Sequence, residues 1–283
     1  MAVRAPSGSD YGRSYTIDSK TGALRVFDPD QLANMLYSAR GRDVAFDDLK
    51  MTNIAFNTDP WTVTKDAGVS APTPAAIAGG GVTVTTGTGD GDGLSMQGLV
   101  AYSGNLNAGI EVRFKISAIT AGAINIGFVN ALTAATELAV TDGDGTPTFQ
   151  VAATEAALWS FRPQDTVTTP RFVTNGAGQT AKGTTILGPD AAALAVVADT
   201  FMSVRVQLLG ATGSALCAVF GATNNLLSAT IIDKIAGATV GGITPGTLLA
   251  PYIGIQNTTT TSRVVTIQYI RKWMDLYAFG SGN

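Results

Sequence analysis

No histidine occurs anywhere in the 283 residues. That removes Ser-His-Asp and Cys-His catalysis, histidine-based zinc sites and the commonest general base near neutral pH. There is one cysteine, Cys217, so no internal disulfide can form. It lies in the apolar run SALCAVF, which marks a small buried side chain in a strand rather than a nucleophile. A chain without disulfides suits assembly in a reducing cytoplasm. No run of 18 apolar residues is present, so no membrane span is expected, and the opening MAVRAPSGSDYGRSY lacks the apolar stretch of a signal peptide.

Charge is also scarce. Asp, Glu, Lys and Arg make up 14% of the chain, against roughly 25% in an ordinary soluble domain. The net charge is −3 and the basic residues are scattered singly, so no Lys/Arg stripe exists to neutralise phosphates and no specific nucleic-acid partner is expected. No P-loop, dinucleotide fingerprint, GxSxG or CxxC pattern is found. Glycoside hydrolysis needs two carboxylates facing a cleft. Only three glutamates exist, and Glu111 sits beside Arg113 on the polar side of an alternating run, where a solvated or paired surface role is expected.

What is present is a chain 45% apolar, long enough to bury a real core. Its charge is concentrated at the start: residues 1–50 hold 14 charged side chains, seven of each sign. Two parts are therefore expected, an N-terminal piece over 1–50 and a Thr/Gly/Ala/Val-rich body over 51–283. Residues 1–27 read as an arm with Tyr11, Tyr15 and Phe27 as anchors. A short helix is predicted over about 29–40, with Asp28 as N-cap, Pro29 at the first position and Gln31 as capping-box partner. Leu32, Met35, Leu36 and Ala39 give it one apolar face, and Gly41 ends it. Three turns alone are marginal, so that face needs a partner.

The body reads as strands. In IEVRFKIS, Ile110, Val112, Phe114 and Ile116 face one way and Glu111, Arg113 and Lys115 the other. MSVRVQLL alternates in the same manner from Met202 to Leu208, and VVTIQYI groups Val265, Ile267 and Tyr269. Shorter candidates are WTVTK, VTVTT, INIGFV, TFQVA, LWSF, ALCAVF and PYIGIQ. PDAAALAVVADT reads as a turn plus a strand, and ELAVTDG is ambiguous between helix and strand. Gly, Pro and Asn punctuate these runs, which argues for an all-β sandwich or barrel.

Two Asp-Gly-Asp-Gly stretches, at Asp90–Gly93 and Asp142–Gly145, raise the question of calcium. A calcium loop of the EF-hand type needs oxygen ligands at positions 1, 3 and 5 and Glu at 12. Counting from Asp90, positions 5 and 12 are Leu94 and Ala101; from Asp142 they are Thr146 and Ala153. Neither loop is complete. Two readings stay open: Gly-opened turns, or a sandwich-loop calcium site using Asp90 and Asp92 or Asp142 and Asp144. Trp159 and Trp273 are candidates for a sugar-stacking platform, with core packing as the simpler role.

The succession EVRFKIS, INIGFVNA, TDGDGTPTFQVA, FMSVRVQLL and LLAPYIGIQNTTTTSRVVTIQYIRKW, over about residues 95–275, resembles the concanavalin A-like β-sandwich modules of tailed-bacteriophage virion proteins. The resemblance implies an all-β, jelly-roll antiparallel β-sandwich, here preceded by the N-terminal arm and one short α-helix. It implies no catalytic residues and no required cofactor. Such modules coat capsids as decoration or cement proteins, or form head and tail fibres and spikes, commonly as trimers. The expectation is a capsid decoration or cement protein on the outer surface of the virion, assembled in the host cytoplasm. Its partners would be its own copies in a homotrimer and the major capsid protein. Tyr11, Tyr15, Phe27, Leu32, Met35 and Leu36 would anchor it. The alternative is a fibre or spike module that binds host-surface glycan.

Overall fold

A computed structural model describes strand residues 14–17, 24–27 and 42–47, and residues 61–275 apart from 79, 121, 134–137, 143–146, 163–168, 189–191 and 233–241. The chain divides into two units, Met1–Val44 with Asp275–Asn283, and Ala45–Met274. In the first, β1 (Ser14–Ile17) pairs antiparallel with β2 (Leu24–Phe27), Tyr15 opposite Val26. The stretch expected to be an arm thus contains a strand pair, whose alternating Tyr15, Ile17, Leu24 and Val26 suit β structure. Tyr15 lies in β1 and Phe27 ends β2. The expected helix over 29–40, and with it Tyr11, Leu32, Met35 and Leu36, lies outside the described residues. Next comes β3 (Arg42–Asp47).

The body contains β4 (Trp61–Lys65), β5 (Thr73–Pro74), β6 (Val82–Thr85), β7 (Gly93–Gly98), β8 (Gly109–Ile116), β9 (Gly122–Val129), β10 (Val140–Asp142) and β11 (Thr148–Phe149). It continues with β12 (Ala156–Phe161), β13 (Arg171–Asn175), β14 (Lys182–Thr185), β15 (Met202–Leu209), β16 (Ser214–Phe220), β17 (Leu226–Ile232), β18 (Ala250–Asn257) and β19 (Val264–Asp275). Sheet I has seven strands in the order β14-β13-β12-β9-β18-β7-β4. Sheet II follows the path β17-β16-β15-β8-β19-β6-β5. The strand pairs within both are antiparallel. The expected all-β antiparallel sandwich is what the body forms.

Period-2 alternation fixes the inner faces. Ile110, Val112, Phe114 and Ile116 from sheet II meet Ile124, Ile126, Phe128, Trp159 and Phe161 from sheet I in one core cluster. Trp159 packs edge-on against Phe114, ring centroids 5.6 Å apart. Cys217 is buried in the same core. Strands β13, β14 and β17 carry no clean apolar alternation, and in β7 it is limited to Leu94 and Met96; none of the four was among the runs singled out from the sequence. The ALAVV run forms no strand: a bridge between Leu187 and Ala193 and a bond from the Leu194 amide to the Ile186 carbonyl hold it instead. ELAVTDG ends in strand β10.

One expectation about facing is corrected. Tyr269 does not share a face with Val265 and Ile267. The pairing of β19 with β8 shifts between Ile267 and Tyr269, so that Ile267 opposes Phe114 and Tyr269 opposes Arg113. Gln268 is the extra residue of a β-bulge, and after a bulge the faces exchange. Ile270 takes the core position and is fully buried, while Tyr269 turns outward.

Candidate functional site

Three places in the body concentrate polar or aromatic side chains. The first is the outer face of sheet II, where β16, β15, β8 and β19 lie side by side. Opposite residues in an antiparallel pair share a face, so Glu111, Arg205 and Arg271 form one row across it. Of the two roles expected for Glu111, solvated or paired, it takes the second, and it is buried. Its Oε2 accepts from Arg205 Nε at 2.7 Å and pairs with Arg205 Nη2 at 2.6 Å. Its Oε1 accepts from Tyr269 Oη at 2.7 Å. The Arg205 guanidinium also lies 5.1 Å from the Phe220 ring centroid and 5.7 Å from that of Trp273. Trp273 fits flat on this face because Gly109 lies beneath it; a Cβ there would come within 2.1 Å of Trp273 Cζ2. Burial and the Glu111 carboxylate push the Tyr269 phenol up to about 12.

Beside this group, Arg113 donates from Nε to Gln268 Oε1 at 2.8 Å, from Nη1 to Asn224 Oδ1 at 2.8 Å and from Nη2 to the Ala222 carbonyl at 2.7 Å. Lys115 pairs with Asp199 at 3.3 Å. These contacts knit strands and loops together. They present no carboxylate pair across a cleft.

The second place is the turn between β6 and β7, which carries Asp90 and Asp92. Asp92 Oδ2 accepts from the Gly89 amide at 2.8 Å. Gly87 and Gly89 leave room for that carboxylate, since a Cβ on either would fall within 3 Å of it. Asp66 Oδ2 accepts from the Gly93 amide at 2.8 Å. The fully buried Asn257 closes the turn from β18, donating from Nδ2 to the Gly87 carbonyl at 3.0 Å and also to the carbonyls of Gly89 and Thr259. Asp90 is exposed. Among the described residues no group of three or more Cys, Asp or Glu side chains is placed to hold a metal ion. Of the other pair, Asp142 ends β10 opposite Thr148, at the mouth of a two-strand hairpin; Asp144 lies outside the described residues.

The third place is the outer face of sheet I, which is roofed. Val129, Ala156, Leu158, Val173 and Tyr252 point out from it and form a second apolar cluster with Ala139 and Val140 from the β9–β12 connection. Asn125 ties the roof down: its Oδ1 accepts from the Val140 amide at 3.0 Å and its Nδ2 donates to Ser160 Oγ at 3.0 Å. At the end of the connection, buried Glu155 accepts from the Ala177 amide at 3.0 Å and the Thr244 amide at 2.9 Å. Glu111 thus lies in sheet II and Glu155 in the connection that leads into β12 of sheet I, and each is held by its own donors. Glu137 lies outside the described residues.

The aromatic candidates are covered: Trp61 and Trp159 lie in the core, and Trp273 lies on the outer face of sheet II beside Arg205. Trp61, Trp159 and Trp273 are all buried. Large exposed apolar side chains lie elsewhere: Leu99 and Leu248 on neighbouring loops linked by the Tyr102–Leu249 bridge, and Leu226 and Ile231 on β17. The sequence had singled out neither Asn257 nor Glu155. An isolated Asn in PYIGIQNT and an isolated Glu in an alanine-rich run carry no spacing signal.

No protein-family model and no curated protein matches the sequence. Solved structures match in fold. A protein of unknown function from Shewanella oneidensis MR-1 aligns with a TM-score of 0.52 at 13% identity, over 89% of this chain and 97% of that one. The carbohydrate recognition domain of Emp47p aligns with a TM-score of 0.51 at 11% identity, over 84% of this chain and 98% of that one. Peanut lectin, solved with a nine-residue peptide, aligns with a TM-score of 0.50 at 9% identity, over 82% of this chain and 97% of that one. The likeness is one of fold: the body is a legume-lectin-like, concanavalin A-like β-sandwich.

Proposed function

We propose that this chain is a non-catalytic structural subunit of a tailed-bacteriophage virion, a decoration or cement protein on the outer surface of the shell. It assembles in the host cytoplasm and acts mechanically, bridging capsid subunits through interface area and multivalency. The N-terminal piece is the attachment segment to its own copies and to the major capsid protein. The observation that supports this reading is the direction of the side chains. Those with chemical potential, Glu111, Glu155 and Asp92, are tied to internal donors, whereas the large apolar residues at Leu99, Leu248, Leu226 and Ile231 face outward. That is the disposition of a contact surface rather than a reaction site. The test is mass spectrometry and imaging of purified particles from the phage that encodes the chain. The chain is expected at stoichiometric copy number, and a variant lacking residues 1–45 is expected to fold yet stay off the particle. Particles without the chain overturn the proposal.

A second reading follows from the fold, since two of the matched sandwiches are named as a lectin and a carbohydrate recognition domain. On that reading the chain is a head or tail fibre or spike module that takes host-surface glycan, with calcium at Asp90 and Asp92 or at Asp142 and Asp144. Burial of all three tryptophans weighs against a stacking platform. A glycan array probed with and without chelator separates the two: chelator-sensitive binding favours the second, and a silent array removes it.

A further inference from the structure

The four strands that end the two sheet paths are not alike. In sheet I the terminal strands are β14, which opens with Lys182, and β4, which closes with Lys65. In sheet II one path ends at β5, two residues long and containing Pro74. Short length, proline and lysine are the usual means of keeping a sheet edge from pairing with another chain. The other terminal strand, β17, has none of them. It is seven residues long, reads LLSATII, and carries neither charge nor proline. Its backbone pairs with β16 on one side, and no described residue bonds its other side. The single irregularity lies at its start, where Phe220 opposes Leu226 and Val219 opposes Ser228.

The side chains agree with the backbone. Leu226, Ala229 and Ile231 are exposed on the outer face, opposite Phe220, Ala218 and Leu216 of β16. The edge is therefore bordered by an apolar strip, with Leu226 56% and Ile231 53% exposed. We infer that β17 is a self-association edge, and that its occupant is β17 of a second copy of this chain. A strand edge running antiparallel to its own copy about a two-fold axis is self-complementary in N–H and C=O groups. The segment carries no charge, so two copies meet without like-charge repulsion, and a charged partner strand finds no counter-ion on it. Pairing extends sheet II across the axis and brings Leu226 and Ile231 together with their copies. The expected product is a two-fold dimer, in contrast to the trimer that the phage resemblance implies. This inference stands apart from the virion reading: particle composition tests one and solution mass the other.

The test uses the full chain. Light scattering behind size exclusion is expected to give about twice the 29.0 kDa of one chain. The double variant Leu226→Lys/Ile231→Lys, changed only at exposed positions, is expected to halve that mass while leaving circular dichroism unchanged, and to melt at a temperature that no longer depends on protein concentration. Hydrogen exchange on the unaltered chain provides a measurement that needs no variant: amides of 228–232 are expected to exchange faster on dilution through the dissociation range. A single-chain or three-chain mass, a double variant that stays dimeric, or exchange at 228–232 that ignores concentration each overturns the inference.

Discussion

Tyr269 reaches Glu111 across a β-bulge, its phenol donating to Oε1 at 2.7 Å while Arg205 holds the other carboxylate oxygen. The extra residue, Gln268, makes this possible by exchanging the faces of β19 between Ile267 and Tyr269. Removing Arg205 alone would leave a buried carboxylate without its counter-ion. A fully buried pair would then lose roughly 3–5 kcal/mol; Arg205 is 31% exposed, so Arg205→Leu is expected to cost less, about 1–3 kcal/mol. Replacing both residues, Glu111→Leu/Arg205→Leu, is expected to cost less than the sum of the single changes. Urea denaturation of the four proteins measures this, and strict additivity would show that the pair is not coupled.

The same phenol makes a pH prediction. Burial and the neighbouring carboxylate raise it to about 12, while an unfolded tyrosine titrates near ~10. The folded state therefore holds this proton more tightly than the unfolded state does. Its contribution to stability is complete below about pH 10 and is lost as the pH rises through about 12. The denaturation midpoint is expected to fall more steeply across that window in the unaltered chain than in Tyr269→Phe. Parallel curves for the two proteins would assign the slope to other groups.

Asn257 is expected to matter more than either aspartate of its turn. It is fully buried, and its amide closes the loop from Gly87 to Gly89 onto Thr259. Asn257→Ala leaves carbonyls without donors and is expected to cost about 1–3 kcal/mol. Asp92→Ala removes one cap to the Gly89 amide and is expected to cost about 1 kcal/mol. Thermal melts rank the two, and repeating them with added calcium tests the metal reading directly. A calcium-dependent rise in melting temperature that disappears in Asp92→Ala would establish a site there.

Glu155 acts as a staple between loops. Glu155→Gln keeps the shape but leaves one backbone amide, at Ala177 or Thr244, without its acceptor. The expected cost is about 1–3 kcal/mol, with faster hydrogen exchange confined to the segments around those two residues. Uniformly faster exchange across sheet I would point instead to a general loss of the fold.

Cys217 is expected to be silent chemically. Burial alone pushes its thiol far above the usual range, so the reactive thiolate is not populated. A thiol reagent should label the chain only after denaturant, with one equivalent. Rapid labelling of the native protein would contradict its placement in the core.

The sandwich was legible because its long strands alternate. The inward sets of IEVRFKIS and MSVRVQLL landed in the core as read. Where alternation is broken, legibility stopped. Tyr269 was assigned to the core face because a bulge cannot be seen in a period-2 pattern, and Glu111 was read as solvated or paired without its partner, because nothing local announces Arg205 94 positions away. The Asp90–Gly93 stretch was legible as a turn, but its closure by Asn257 was not. That contact joins residues 170 positions apart, and no local spacing encodes it.

The burial of Trp61, Trp159 and Trp273 also has an optical consequence. They are the only tryptophans in the chain, and residues 1–44 and 275–283 contain none. Native emission should thus be blue-shifted and should report on the sandwich alone. Trp159 senses the interior, and Trp273, beneath the Arg205 guanidinium, senses the outer face of sheet II. Residues 1–44 carry no tryptophan of their own. Changes there can be followed by tyrosine absorbance or attached dyes, against a body that supplies its own independent readout.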